Sequence, residues 1–416
     1  MSRPTTPETS APADAASRAG GSNAALGQAA LTPALSQERG QTETPADSGA
    51  QETTRESVQT EAEGGKPLRA AVLHGAGYAG GELLALLLAH PLVAPAVVTS
   101  RSQAGEPVWT THPRLRGQTD VAYTAPDDLH PAAFDVAFVC AEHGQGAAAV
   151  GALRQSGFDG LVVDLSADHR LGSAETYERV YGLAHPDPDA MRAAVYGLAE
   201  VHGDRLAGLA RTSGATIANP GCFATGLALA LWPLARGPLA DALGPFAAHV
   251  TALTGASGSG ARPSATTHFP TRSGNVRAYK PLGHRHLAEV QEVLGPDATV
   301  HFVPVSGPWT RGIWGTAHVA LPASLDGDAV GAAFEAAYGD APLVRLSPGA
   351  LPELLPVVGT PFVDLGWVAQ DRQLVVGFAL DNLLKGAASQ AVQNLNLAFG
   401  WPQALGLLPG IHPPTP

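Results

Sequence analysis

The chain has 416 residues, 45% of them hydrophobic and 15% charged, a globular composition with room for two or three domains. Lys and Arg number 25 against 37 Asp and Glu, and the formal net charge of −12 makes nucleic acid or an anionic membrane surface a poor partner. Two cysteines, Cys140 and Cys222, leave no disulfide framework and point to a reducing cytoplasmic home, and no apolar run reaches the ~18 residues of a spanning helix.

Residues 1–66 contain no Phe, Trp or Tyr and are built from Ala, Thr, Ser, Gln, Glu, Pro and Gly. Such a segment cannot bury enough apolar surface to offset its ordering entropy, which predicts a disordered tail. It has no apolar core of a secretory signal and is too acidic for an Arg-rich transit peptide.

The body opens on the apolar run LRAAVL (68–73), read as a buried strand. Gly75, Gly77 and Gly80 follow in G-x-G-x-x-G spacing, with Tyr78 and Ala79 between them, and a Leu-rich helix is predicted over 82–89. A strand, a glycine turn and a helix in that order form a phosphate cradle. The first glycine allows the turn, the second lets backbone approach a pyrophosphate, and the third lets helix pack on strand. The next strand, 94–99, ends in Ser100-Arg101-Ser102. An acid there would hold the 2′-hydroxyl of NAD, whereas Ser100 and Arg101 suit the extra phosphate of NADP(H). Further strands at 135–140 and 161–165 predict a parallel, doubly wound sheet. Cys140 lies inside one of them and reads as packing.

A strand at 215–218 runs into NPGCFATG (219–226) and an apolar helix. Asn219 is predicted as N-cap and Pro220 as the first helical residue, which places Cys222 in the first turn. Free N–H groups and the helix dipole there lower a thiol's pKa and can hold an oxyanion. Downstream, a helix starting in GHRHLAE (283–289) would put His286 and Glu289 on one face at i,i+3, with His284 pointing elsewhere. That pairing suits an acid/base imidazole oriented by a carboxylate. A metal site lacks paired ligand spacing, so none is expected.

With these residues in view, the sequence from Leu68 onward resembles the N-acetyl-γ-glutamyl-phosphate reductases, arginine-pathway members of the aspartate-semialdehyde dehydrogenase-like superfamily. The resemblance rests on GAGYAGGELL (75–84), VVDLSADHRL (162–171), VYGLAE (195–200), NPGCFATG, THFP (267–270), RAYKPLGHRH (277–286), TRG (310–312) and DNLLKGAASQAVQNLN (381–396). It implies Cys222 as nucleophile, His286 as acid/base and Glu289 as its support. The family's common glycine before the cofactor loop is His74 here. SRSQAGEP (100–107), HPRLRG (112–117) and RSGNVRAYKPLGHRH (272–286) also resemble the lysine-pathway paralogue, whose aminoadipyl phosphate rides on a small acidic carrier protein. The chain ending and TTHFP pull toward the arginine enzyme.

The resemblance implies an α/β fold in two parts. A Rossmann-type NADP-binding domain (67–220) is completed by a C-terminal helix (385–416). An α+β catalytic and dimerisation domain (221–384) carries a mixed, largely antiparallel sheet, which implies a homo-oligomer. Strands at 249–254, 299–305 and 312–321, a hairpin over 363–380 about Asp371 and a helix over 326–338 agree with the second part. Asn382 is expected near the nicotinamide. The implied reaction is reduction of an acyl phosphate, a small-molecule substrate, by NADPH through a thioester on Cys222. Its anions call for cations: Arg277 and Arg311 for carboxylate, Arg262 beside the Gly-rich 254–260 loop for phosphate, and His284 in contact with substrate. A non-catalytic NADP-binding regulator with a redox-sensitive Cys222 leaves the His286–Glu289 pair without purpose, and aspartate-semialdehyde dehydrogenase is the nearer rival.

Overall fold

The computed structural model describes residues 66–408. Apart from Lys66, the tail expected over 1–66 lies outside the described residues, as do residues 409–416. Among the described residues no helix is long and apolar enough to cross a membrane.

Seven strands form a first sheet. They are β1 (Leu68–Leu73), β2 (Val93–Thr99), β3 (Tyr123–Thr124), β4 (Val136–Val139), β5 (Leu161–Asp164), β6 (Val195–Tyr196) and β7 (Thr216–Ala218). Their order is β3-β2-β1-β4-β5-β7-β6 and every pairing is parallel. A parallel sheet needs helices on both faces, so its strands read as unbroken apolar runs. Ala70, Ala71 and Val72 are accordingly all fully buried. Helix α1 (Tyr78–Ala89) covers one face through Leu83, Leu84 and Leu87, each worth about 1.5–3 kcal/mol of burial. Helix α2 (Gly146–Gln155) covers the other through Val150 and Leu153.

The second sheet has the order β12-β13-β14-β11-β8-β10-β9. Its strands are β8 (Phe246–Thr254), β9 (Arg277–Ala278), β10 (Ala298–Ser306), β11 (Ile313–Ala320), β12 (Val344–Pro348), β13 (Val363–Gln370) and β14 (Gln373–Leu380). The β8–β10 and β12–β13 pairs are parallel and the rest antiparallel, so the sheet is mixed and largely antiparallel. Helices α3 (Cys222–Ala235), α4 (His286–Leu294) and α5 (Gly327–Tyr338) share one apolar core with one face of it. On the other face β8 presents His249 and Thr251 to solvent. The chain then makes a single π turn, Leu384–Ala388, and α6 (Ser389–Phe399) packs beside α1 on the first sheet. A buried ion pair anchors that return, with Lys385 Nζ 2.5 Å from Glu200 Oε1.

Candidate active site

The C-terminal edge of the first sheet carries the glycine loop. A Cβ on Gly80 would lie 2.4 Å from the Gly75 carbonyl oxygen, so only glycine lets α1 close on the turn. Gly77 is the N-cap of α1, has no side-chain cap, and faces open space where a Cβ would meet nothing within 4 Å. That open helix start, with Tyr78 exposed beside it and Ala79 and Gly80 in its first turn, fits the pyrophosphate of a dinucleotide. His74 has φ +57, which is the physical reason glycine suits this position; histidine is among the side chains that tolerate the left-handed region. Ser100 is buried at the end of β2, while the Arg101 side chain is 77% exposed and 3.6 Å from Asp127. Arg101 thus stands over the edge with its donors open to a ligand.

Cys222 is the first residue of α3. Gly221, not Asn219, is the N-cap, because Asn219 spends its amide elsewhere, donating to the Ala387 carbonyl at 3.1 Å and accepting from Asn394 at 3.0 Å. The helix start is thereby stitched to the returning C-terminal segment. A Cβ on Gly221 would lie 2.6 Å from His286 Nε2 and 2.8 Å from Arg170 Nη1, so both groups crowd the peptide that leads into the cysteine. Gly386 closes the other side, where its Cβ would meet the Cys222 Cβ at 2.7 Å.

One electrostatic expectation changes. Burial pushes the Cys222 thiol above its ordinary pKa, and Arg170, the Phe223 N–H and Arg285 pull it only part of the way back. A helix N-terminus therefore does not give a standing thiolate here; the thiol needs a base. Burial, reinforced by His284, Arg170 and Arg285, holds His286 well below the usual imidazole value, so it is neutral and able to accept that proton. His284 is held down to about 4 by burial, Arg285 and Lys280, and its ring meets the His286 ring edge-on at 4.7 Å.

Glu289 is brought next to His286 but does not hydrogen-bond it, since its Oε1 lies 4.0 Å from Nε2. The buried carboxylate instead accepts from Arg170 at 3.2 Å, from the Tyr196 hydroxyl at 2.9 Å and from the Gly221 N–H at 2.9 Å. It anchors the start of α3 rather than holding a proton on the imidazole, whose Nδ1 is buried without a partner.

Beside these groups lies a cavity of about 260 Å³ walled by Thr254, Ser259, Arg272, Arg277, Lys280, His284 and Arg285 among others. His284 is therefore where the cavity meets the His286 ring. Of the three arginines expected to bind substrate, only Arg277 lines this space. Arg262 is exposed and 3.6 Å from Glu142. Arg311 lies outside that wall: it pairs with Glu82 and Asp381, both at 2.8 Å, and ties α1 of the first sheet to the end of β14 in the second. Arg272, Lys280 and Arg285 were missed, although four cations within 272–285 were the available signal. Arg170 was missed too, inside a motif quoted for resemblance only. Asn382 is buried, accepting from the Gly312 N–H at 2.6 Å and donating to Ser257 at 3.0 Å, so it fastens two loops together. Among the described residues no group of three or more His, Cys, Asp or Glu could hold a metal ion.

Residues 69–209 match the family model of the semialdehyde dehydrogenase NAD binding domain, and residues 222–382 match that of the semialdehyde dehydrogenase dimerisation domain. The N-acetyl-gamma-glutamyl-phosphate reductase of Methanocella arvoryzae is 42% identical over 348 residues, covering 82% of this chain and 98% of the relative. The putative [LysW]-L-2-aminoadipate 6-phosphate reductase of Thermomicrobium roseum is 41% identical over 357 residues, again 82% and 98%. The fold is that of aspartate semialdehyde dehydrogenase II from Vibrio cholerae, with a TM-score of 0.60 at 18% identity over 80% of this chain and 98% of that one. The chain belongs to the semialdehyde dehydrogenase family and is an oxidoreductase built on a nicotinamide-dinucleotide frame.

Proposed function

We propose that the chain catalyses NADPH-dependent reductive dephosphorylation of N-acetyl-γ-glutamyl phosphate to N-acetyl-glutamate 5-semialdehyde. One observation carries this reading: Cys222 opens a helix directly after the Gly221 peptide that a neutral His286 crowds, next to a cavity lined by Arg277, Lys280 and Arg285. A nucleophile, a base and an anion-binding wall are what an acyl phosphate requires.

His286 Nε2 takes the thiol proton as Cys222 attacks the acyl carbon. The C–O bond to phosphate breaks, phosphate leaves into the cationic cavity and takes from solvent the one proton the overall reaction consumes, and a thioester remains on Cys222. Gly75, Gly77, Tyr78, Ala79, Gly80, Ser100 and Arg101 would hold the cofactor, with Arg101 on the 2′-phosphate. The chemistry that NADPH supplies there is a hydride for the thioester carbon. When the aldehyde departs, His286 returns its proton to the sulfur. The Phe223 N–H and its neighbours at the start of α3 steady the negative oxygen at each tetrahedral stage.

A second reading, reduction of an aminoadipyl phosphate held on an acidic carrier protein, draws on the near-equal identity of the relative named for [LysW]-L-2-aminoadipate 6-phosphate and on the exposed Arg277 of the cavity wall. Purified protein assayed in reverse with phosphate and NADP on each semialdehyde separates the two. Turnover only with the carrier-bound substrate would overturn the first reading. The half-buried Leu253, Val303 and Trp314 on the open face of the second sheet support a homo-oligomer joined there, which sedimentation of the purified protein tests.

A further inference from the structure

We infer that Arg170 is a positioning residue for the nucleophile: it locks the Gly221 peptide through Glu289 and places a buried positive charge beside Cys222. The inference rests on Cys222 being the reactive thiol, and it goes beyond that reading by assigning a second cation that touches neither the substrate cavity nor the cofactor edge.

The sequence builds the arrangement locally. Asp164, at the end of β5, accepts from the Ser166 hydroxyl at 2.8 Å and pairs with His169 Nδ1 at 2.6 Å. Asp168 accepts from Gly144 N at 2.7 Å, Ala147 N at 3.0 Å and the Tyr177 hydroxyl at 2.8 Å. These buried bonds fold residues 164–171 into a rigid loop at the carboxyl edge of the sheet, beside β7, whose continuation leads to Cys222. Asn219 N donates to the Asp164 carbonyl at 2.8 Å and fixes that continuation against the loop.

Arg170 projects from the loop toward the second part of the molecule. Its side chain is only 9% exposed. One terminal nitrogen donates to the Leu165 carbonyl at 2.8 Å and the other to Glu289 at 3.2 Å, while Nε has no partner. A guanidinium with an unused buried donor is costly to keep as mere filling. Its Nη1 stands where a Gly221 Cβ would come within 2.8 Å, one residue before the cysteine. Among the charged groups acting on the thiol, Arg170 is the strongest that favours the thiolate, ahead of Arg285, and Glu289 opposes it. A lysine could supply charge but not the two-pronged bridge between Leu165 and Glu289.

The experiment is iodoacetamide labelling of Cys222 against pH, followed by mass of the labelled peptide, in wild type, Arg170→Met, Arg170→Lys and the double variant Arg170→Met/Glu289→Gln. Labelling needs no substrate, so it reads Arg170 even if the proposed substrate is wrong. Labelling of no Cys222 peptide in wild type would count against the nucleophile itself. Arg170→Met should slow labelling at neutral pH about tenfold, one pH unit in the thiol midpoint. Arg170→Lys should restore the midpoint but not full turnover. The double variant removes both buried charges, so it folds without an orphaned carboxylate, and it should still label more slowly. Overlaid pH profiles of wild type and the double variant, with matching melting temperatures, would overturn the inference.

Discussion

The placement of Glu289 separates two accounts of this site. If the carboxylate orients the His286 imidazole, its loss should cripple turnover and spare the fold. The geometry says otherwise, because its closest approach to Nε2 is 4.0 Å while three donors, Arg170, Tyr196 and the Gly221 N–H, point at its oxygens within 3.2 Å. Glu289→Ala strands the buried Arg170 charge, and breaking a buried pair from one side costs about 3–5 kcal/mol. At roughly 2–4 °C per kcal/mol, the expected fall in melting temperature is about 6–20 °C. Glu289→Gln keeps the shape but turns an NH2 group toward a donor, so it should also destabilise, by less. The assay is a thermal melt by circular dichroism beside kcat measured well below the transition. A Glu289→Gln protein that melts within a degree of wild type yet has lost turnover about 10³-fold would refute the architectural reading and return Glu289 to the imidazole.

Cys222→Ser should reduce turnover to near background while NADPH binding, measured by fluorescence, survives, because the glycine loop lies on the other sheet; near-normal turnover would end the thioester mechanism. Iodoacetamide should label Cys222 and spare Cys140, whose thiol burial pushes up to about 12; peptide mass analysis after partial labelling checks this. His286→Ala should lower kcat about 10²–10⁴-fold with KM little changed, and a larger loss in His284→Ala would move the base to the other ring. Arg101→Ala should weaken NADPH by about 1.5–3 kcal/mol and leave NADH unchanged, read by titration calorimetry. Stability should fall as pH drops below about 6.5, because the unfolded chain then protonates histidines that burial keeps neutral in the fold, with the His284 contribution lost fully by about pH 4. Urea melts at pH 7.5, 6.5 and 5.5 that coincide would contradict this.

Signals that live within about two dozen consecutive residues were legible in the chain alone. The strand, glycine turn and helix of 68–89 is one, since Gly80 must be glycine for α1 to close on Gly75. The cysteine at a helix start is another, and the His286–Glu289 spacing did place both groups on α4. Apart from β12, the strands of three or more residues were visible as apolar stretches, whereas β3, β6 and β9 have two residues each and exist only through their partners.

Tertiary structure decided what each charged or polar side chain spends itself on. Arg311 and Arg277 look alike in sequence, but only the fold sets Glu82 and Asp381 against the former and leaves the latter on the cavity wall. Asn219 has the makings of a helix cap, yet Ala387 and Asn394, about 170 residues away, claim its amide. The ionisation of Cys222 likewise follows from burial, which opposes the local dipole, and from Arg170, 52 residues earlier in the chain. Backbone conformation is set by neighbours in sequence, whereas desolvation and pairing of charge are set by neighbours in space. The elements of this protein could therefore be read before its site could.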